Sequence, residues 1–99
     1  MGFRTQAEDD VLETMSLDEY LIENKEATFM MRASGDSMRS KGIFRGDLLI
    51  VDRSRMARTG DIIVAVVDGS FCMMYWGGFS TAAEVKVEAV VTAVIRKLV

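Results

Sequence analysis

The sequence predicts a mainly β domain of several antiparallel strands, preceded by one short N-terminal helix. From about residue 27 onward, the chain is built of apolar segments rich in β-branched, aromatic and methionine side chains. Turn-forming glycine and aspartate residues separate these segments at short intervals. The chain has 99 residues, of which 49% are hydrophobic, and this is enough for one modest core. We therefore expect a single compact domain.

The N-terminal segment differs from the rest of the chain in charge and pattern. Residues 1–15 are polar and lack periodicity, which predicts a flexible arm in front of a domain at 16–99. Eight of the 15 acidic residues fall between Glu8 and Glu26, so the arm and the first element are acidic. Gly2 and Phe3 follow the initiator methionine directly.

The helix is predicted from a start signal. Ser16 is followed three residues later by Glu19, the spacing of a capping box, in which each side chain accepts a backbone N–H at the helix start. We expect a short helix from about residue 17 to 24, with Leu17, Tyr20 and Leu21 facing the core.

Five strand segments follow the helix, over residues 27–33, 47–52, 61–67, 70–76 and 85–98. Asp68-Gly69 lies between two apolar segments and predicts a tight hairpin, because both central positions of such a turn take positive φ. The last segment becomes apolar on both faces, which predicts that it pairs with a second subunit.

The composition argues against several functional classes. The formal charge is −3 and there is no basic tract, which disfavours direct DNA binding because phosphate contacts need a basic face. With one cysteine, Cys72, and no histidine, we expect neither a disulfide nor a metal or cofactor site. No segment reaches the roughly 18 apolar residues of a membrane span. These features fit a cytoplasmic protein.

Ser37 is the one candidate nucleophile that the residues single out. It stands in "ASGDSM", between an acid and a methionine, at a turn. A serine hydroxyl needs an adjacent base, and the absence of histidine leaves only a lysine of lowered pKa. Among the four lysines, Lys86 is the best candidate from the residues alone. Residue types leave open whether Ser37 is a nucleophile or only a turn residue.

Three motifs, "ASGDSM", "GIFRGDLLIVDRS" and "GDIIVAVVDGSF", appear in order with matching spacings. They resemble the LexA/UmuD-type family of Ser-Lys self-cleaving peptidases, most closely its UmuD-like members. The resemblance is dense over residues 16–76 and resumes at "VEAVVTAVIRKLV", which is similar to the family's closing dimer strand. It implies a compact LexA/UmuD-like peptidase domain.

The resemblance also implies roles for the residues around the serine. Ser37 would be the nucleophile that cuts the protein's own linker. The backbone N–H groups near Ser37 and Met38 would be the oxyanion donors. Gly35 and Asp36 would shape the turn that presents the hydroxyl.

The chain departs from the family pattern at the base. The position of the family's lysine is occupied by Met74, whose thioether cannot accept a proton. The segment at 77–84 is also shorter than in the family. Unless Lys86 substitutes as the base, we expect self-cleavage to be defective.

The function implied by the resemblance is that of a UmuD-like accessory protein of the SOS DNA-damage response, in error-prone translesion synthesis. Gly2-Phe3 matches the start of the processed form. The implied partners are a second copy or the unprocessed form, a translesion DNA polymerase and the recombinase filament. Two alternatives remain: an active self-cleaving peptidase with a relocated lysine, and the dimerisation domain of a LexA-like or phage repressor.

Overall fold

The computed structural model describes residues 12–77 and 85–99. In these residues a helix, α1 (Leu17–Leu21), precedes one antiparallel sheet of five strands in the order β1-β2-β5-β3-β4. The strands are β1 (Thr28–Arg32), β2 (Leu48–Asp52), β3 (Ile62–Val67), β4 (Ser70–Tyr75) and β5 (Val85–Ile95). The mainly β prediction is confirmed. Most of the predicted arm and of the short 77–84 segment lie outside the described residues.

The short helix begins where the sequence predicted. Ser16 adopts an extended backbone and its hydroxyl accepts the Glu19 N–H at 3.4 Å. The helix ends at Leu21 rather than near residue 24, and Lys25–Ala27 form a separate 3-10 turn. The prediction that Leu17 and Tyr20 face the core is wrong, because these side chains are 72% and 71% exposed. One and a half turns are too few to fix a buried face by periodicity.

The β3–β4 hairpin has the predicted turn. Asp68 and Gly69 both take positive φ, 50° and 82°, and join Val67 directly to its cross-strand partner Ser70. A two-residue turn of this type matches the right-handed twist of the flanking strands. The hairpin therefore fixes which β4 side chains lie on each face of the sheet.

The last strand occupies the centre of the sheet. Residues 85–90 of β5 pair with β3, and residues 90–95 pair with β2. Both edges of β5 are therefore paired with strands of this chain; Ala89 and Val90 in its middle are buried, whereas Val94 is 36% exposed. Pairing with another copy stays a prediction.

Two apolar clusters lie on opposite faces of the sheet. The first cluster has six buried residues, Ala33, Ile43, Leu49, Val51, Val64 and Ala89, and Met31, Met38 and Met73 pack against it. The second cluster has Ile63, Ala65 and Val90, against which Met74 and Trp76 pack. Methionine is flexible enough to fill irregular gaps in both. No helix within residues 12–77 and 85–99 is long and apolar enough to span a membrane.

Candidate active site

Ser37 lies in a turn directly after β1. The Arg39 N–H donates to the Asp36 carbonyl at 3.2 Å, and the Ile43 N–H donates to the Met38 carbonyl at 3.1 Å. The Met38 side chain packs against the first cluster, whereas Ser37 is exposed. The turn is thus anchored by the residue that follows the serine, and the hydroxyl is left accessible.

Arg45 forms hydrogen bonds with two residues of this turn. Its guanidinium donates to the Ser34 carbonyl at 3.1 Å and to the Asp36 carboxylate at 3.2 Å. Arg39 approaches the other Asp36 oxygen at 3.9 Å. Asp36 therefore contacts two arginines, and its role in shaping the turn that presents the Ser37 hydroxyl stays a prediction. Since these groups are exposed, we expect each pair to contribute less than about 1 kcal/mol.

An ion pair between a buried carboxylate and a partly exposed arginine fixes the loop behind the turn. Asp47 is only 3% exposed and accepts two bonds from Arg96, at 2.7 Å and 2.6 Å, and one from the Phe44 N–H at 2.8 Å. Arg96 also donates to the Gly42 carbonyl at 3.0 Å. The hydrogen bonds from Arg96 and Phe44 lower the pKa of Asp47 from 3.8 to about 2. This pair ties the end of β5 to the loop that follows Ser37.

An open cleft of about 520 Å³ lies in front of Ser37. Its walls are mostly apolar side chains of four strands, namely Met31 of β1, Leu49 of β2, Val64 of β3, and Phe71 and Met73 of β4. Arg32, Ser34 and Ser37 add polar groups to the lining. An apolar cleft with a few polar groups and an exposed hydroxyl has the composition of a ligand-binding site.

The cleft holds no lysine, although all four lysines are among the described residues. The Lys41 ammonium lies 4.4 Å from the centre of the Tyr75 ring, and Lys86 is exposed on β5. Arg32 does line the cleft, but a guanidinium stays protonated and cannot serve as a base. The part of the chain that the structure describes also gives the Ser37 hydroxyl no hydrogen-bond partner.

The structure places Met73, rather than Met74, beside the cleft. Successive side chains of a strand point to opposite faces. Phe71 and Met73 lie on the side of the first cluster, whereas Met74 packs against the second cluster. The assignment of Met74 to the family's lysine position comes from the resemblance and stays a prediction. Sequence reasoning missed Met73, although the alternation after the Asp68-Gly69 turn pairs it with Phe71.

The remaining predicted site residues lie in the turn. Gly35 lines the cleft, its φ is outside the left-handed region, and a Cβ built there would meet no atom within 4 Å. Its small size is therefore not required by the fold, but it leaves room in the cleft. Neither the Ser37 nor the Met38 N–H donates to a backbone acceptor within the described ranges. Their role as oxyanion donors stays a prediction.

The model of the Peptidase S24-like family matches residues 1–75. The chain is 44% identical over 70 residues to Protein ImpA of Salmonella typhimurium, covering 71% of this chain and 48% of that protein. Protein SamA of Salmonella typhimurium strain LT2 is 43% identical over 70 residues, covering 71% of this chain and 50% of that protein.

The LexA repressor of Sorangium cellulosum is 36% identical over 75 residues, which cover 76% of this chain and 33% of that repressor. The chain thus spans about half the length, or less, of the curated relatives that it matches. The family match ends at residue 75, so the similarity seen at 87–99 stays a prediction. With its serine turn, its β sheet and these matches, the chain belongs to the Peptidase S24-like family, as a UmuD-like member.

Proposed function

We propose that this chain is a UmuD-like accessory protein of the SOS DNA-damage response that acts by binding other proteins. Its similarity to the proteins ImpA, SamA and MucA, at 39–44% identity, supports this function. The observation that carries the mechanism is the cleft around Ser37, which has the form of a peptide site but is lined by the thioethers of Met31 and Met73 and by no lysine. Ser37 is then a vestigial nucleophile.

The loss of a base has a predictable magnitude. A positioned base contributes roughly 10²- to 10⁴-fold to the rate of proton transfer. At Ser37 the hydroxyl is exposed and no lysine lines its cleft, so the nucleophile is not activated. An apolar cleft of this kind still holds an extended peptide, and binding without cutting is the activity that remains.

The partners follow from the family resemblance. The chain acts in the processed form as a homodimer, or as a heterodimer with the unprocessed form. It contacts a translesion DNA polymerase and the recombinase filament in the cytoplasm, without direct DNA binding. An overall formal charge of −3 supports contacts with proteins over contacts with phosphates.

One observation favours the alternative of an active peptidase with a relocated base. In the sheet, Lys86 of β5 lies directly opposite Val66 of β3, and Val66 lies directly opposite Phe71 of β4, which lines the cleft. Residues directly opposite each other in a sheet point to the same face, so Lys86 lies on the cleft side of the sheet. A lysine stem that reached over Val66 would bring its amine toward the cleft.

Cleavage and binding experiments separate these functions. A variant with an upstream linker added before Gly2 is incubated at pH 7 and at pH 10, beside the same protein carrying Ser37→Ala. We expect no Ser37-dependent cleavage at either pH. Cleavage that is lost on Lys86→Gln would establish the relocated base instead. Capture of a translesion polymerase, without binding of operator DNA, would support the accessory role over the repressor role.

A further inference from the structure

Two thioethers stand in the walls of the Ser37 cleft. Met31 belongs to β1 and Met73 to β4, the strands at the two opposite edges of the sheet. Both line the cleft, together with Leu49 and Val64 of strands that lie between these edges. Leu49 and Val64 are each 3% exposed, whereas Met31 and Met73 are only partly buried. Each edge of the sheet therefore contributes an accessible methionine to the cleft.

These two methionines contact the core on one side and the cleft on the other. Both pack against the first cluster, and both line the opening of about 520 Å³. Met30 and Met56 are more exposed, at 65% and 87%, but neither lines the cleft. Met74 packs against the second cluster. Within residues 12–77 and 85–99, Met31 and Met73 are thus the methionines whose chemistry can change the cleft.

A thioether has one reaction available under mild conditions, oxidation to a sulfoxide. With hydrogen peroxide, one oxygen atom is transferred to the sulfur: the O–O bond breaks, an S–O bond forms and water leaves. The sulfur is oxidised by two electrons and the peroxide is reduced by two. The product is polar where the thioether was apolar. Because the cleft is open, the S–O groups can be hydrated there while the sheet keeps its fold.

We propose that Met31 and Met73 are oxidation sites that switch the Ser37 cleft from an apolar, binding form to a polar form that does not bind. The inference rests on the proposed function, because it concerns a partner's segment held in this same cleft. An apolar group that entered the oxidised cleft would strip water from two sulfoxides without replacing its hydrogen bonds. Reduction of the sulfoxides would restore binding.

Oxidation of the full-length protein with hydrogen peroxide tests the switch. Peptide mapping by mass spectrometry measures the sulfoxide content at each methionine. The probe is the neutral apolar dye N-phenyl-1-naphthylamine, whose fluorescence measures binding, and the backbone amide NMR signals of Gly35 and Ser37 show whether it enters the cleft. We expect oxidation to weaken binding of the dye by roughly tenfold. Treatment with methionine sulfoxide reductases should restore it.

Two double variants give a matched comparison. Met31→Leu with Met73→Leu keeps the volume and apolar character of both walls, but leucine cannot accept an oxygen atom. This variant should bind the dye and keep binding it after peroxide treatment. Met30→Leu with Met56→Leu removes the same number of methionines outside the cleft and should remain sensitive. Sensitivity of the first variant would assign the effect to another group, such as the Cys72 thiol, and would overturn the proposal.

The remaining outcomes separate the switch from the binding role of the cleft. Urea unfolding should show that the oxidised protein is still folded; loss of the fold at the dose that oxidises Met31 and Met73 would overturn the switch. So would unmodified Met31 and Met73 at a dose that oxidises Met30 and Met56. A dye that enters the cleft equally well before and after oxidation overturns the switch alone. A dye that never moves the Ser37 signal contradicts the proposed binding function, and the switch with it.

Discussion

Replacing the two neighbouring methionines of β4 by lysine tests which of them belongs to the serine site. Met73 lines the open Ser37 cleft, whereas Met74 packs against Ile63, Ala65 and Val90 on the other face. In Met73→Lys the amine enters a cleft that is open to water, and we expect a loss of stability below about 1 kcal/mol. In Met74→Lys the ammonium must leave an apolar cluster or be desolvated, and we expect a loss of about 1–3 kcal/mol.

The pH dependence provides an internal check of this difference. A lysine held in apolar surroundings has a folded-state pKa below its unfolded value of about 10.4, so the unfolded state binds more protons. The stability of Met74→Lys should therefore recover as the pH rises from neutral toward 10. Met73→Lys should show no such recovery beyond that of the unmodified protein.

Urea unfolding at pH 7 and pH 9.5 measures the stabilities, and cleavage of an added upstream linker measures the activity. We expect Met73→Lys to gain Ser37-dependent cleavage and Met74→Lys to lose stability without gaining it. The reverse outcome, a stable Met74→Lys that cleaves, would refute the assignment of the two β4 faces. It would support the family alignment, which puts the lysine at position 74.

Three further substitutions test the scaffold of the site. Asp47→Asn should be destabilising above pH 4. The difference in the free energy of unfolding between Asp47→Asn and the unmodified protein should shrink as the pH falls from 3.8 toward about 2, because the bonds from Arg96 and the Phe44 N–H stabilise only the ionised carboxylate. Unfolding measured over this acid range checks the prediction. Gly69→Val should cost about 1–2 kcal/mol in urea unfolding and Gly69→Asn clearly less, because φ is 82° and no atom crowds the Cβ position. Gly35→Ala should unfold at the same urea concentration as the unmodified protein, since its Cβ position is open; a loss above 1 kcal/mol would contradict that geometry.

The strands could be predicted from sequence because their signals are local. β-branched segments bounded by Gly46, Gly60 and Asp68-Gly69 mark β2, β3 and β4 within one residue of their observed limits. The helix start at Ser16 is equally local, since one side chain accepts one N–H. The prediction that Leu17 faces the core was wrong, because the buried face of a helix depends on which other element it packs against, and this is not a local signal.

The arrangement of the site depends on contacts that are distant in sequence. Ser37 could be found from its motif, but its neighbour Met73 could not, because the cleft forms only when β1 and β4 approach the same apolar cluster. The order of the strands in the sheet brings Ser37 and Met73 to the same cleft.

Reaction of Ser37 with a fluorophosphonate tests most directly whether its cleft lacks a proton acceptor. Such reagents modify serines whose hydroxyl is activated by a neighbouring base, and intact-mass spectrometry counts the adducts. Between pH 7 and pH 9 we predict no more modification of the unmodified protein than of Ser37→Ala. Rapid labelling of one site per chain, abolished by Ser37→Ala, would show that a base reaches this hydroxyl and would contradict the proposed loss of catalysis.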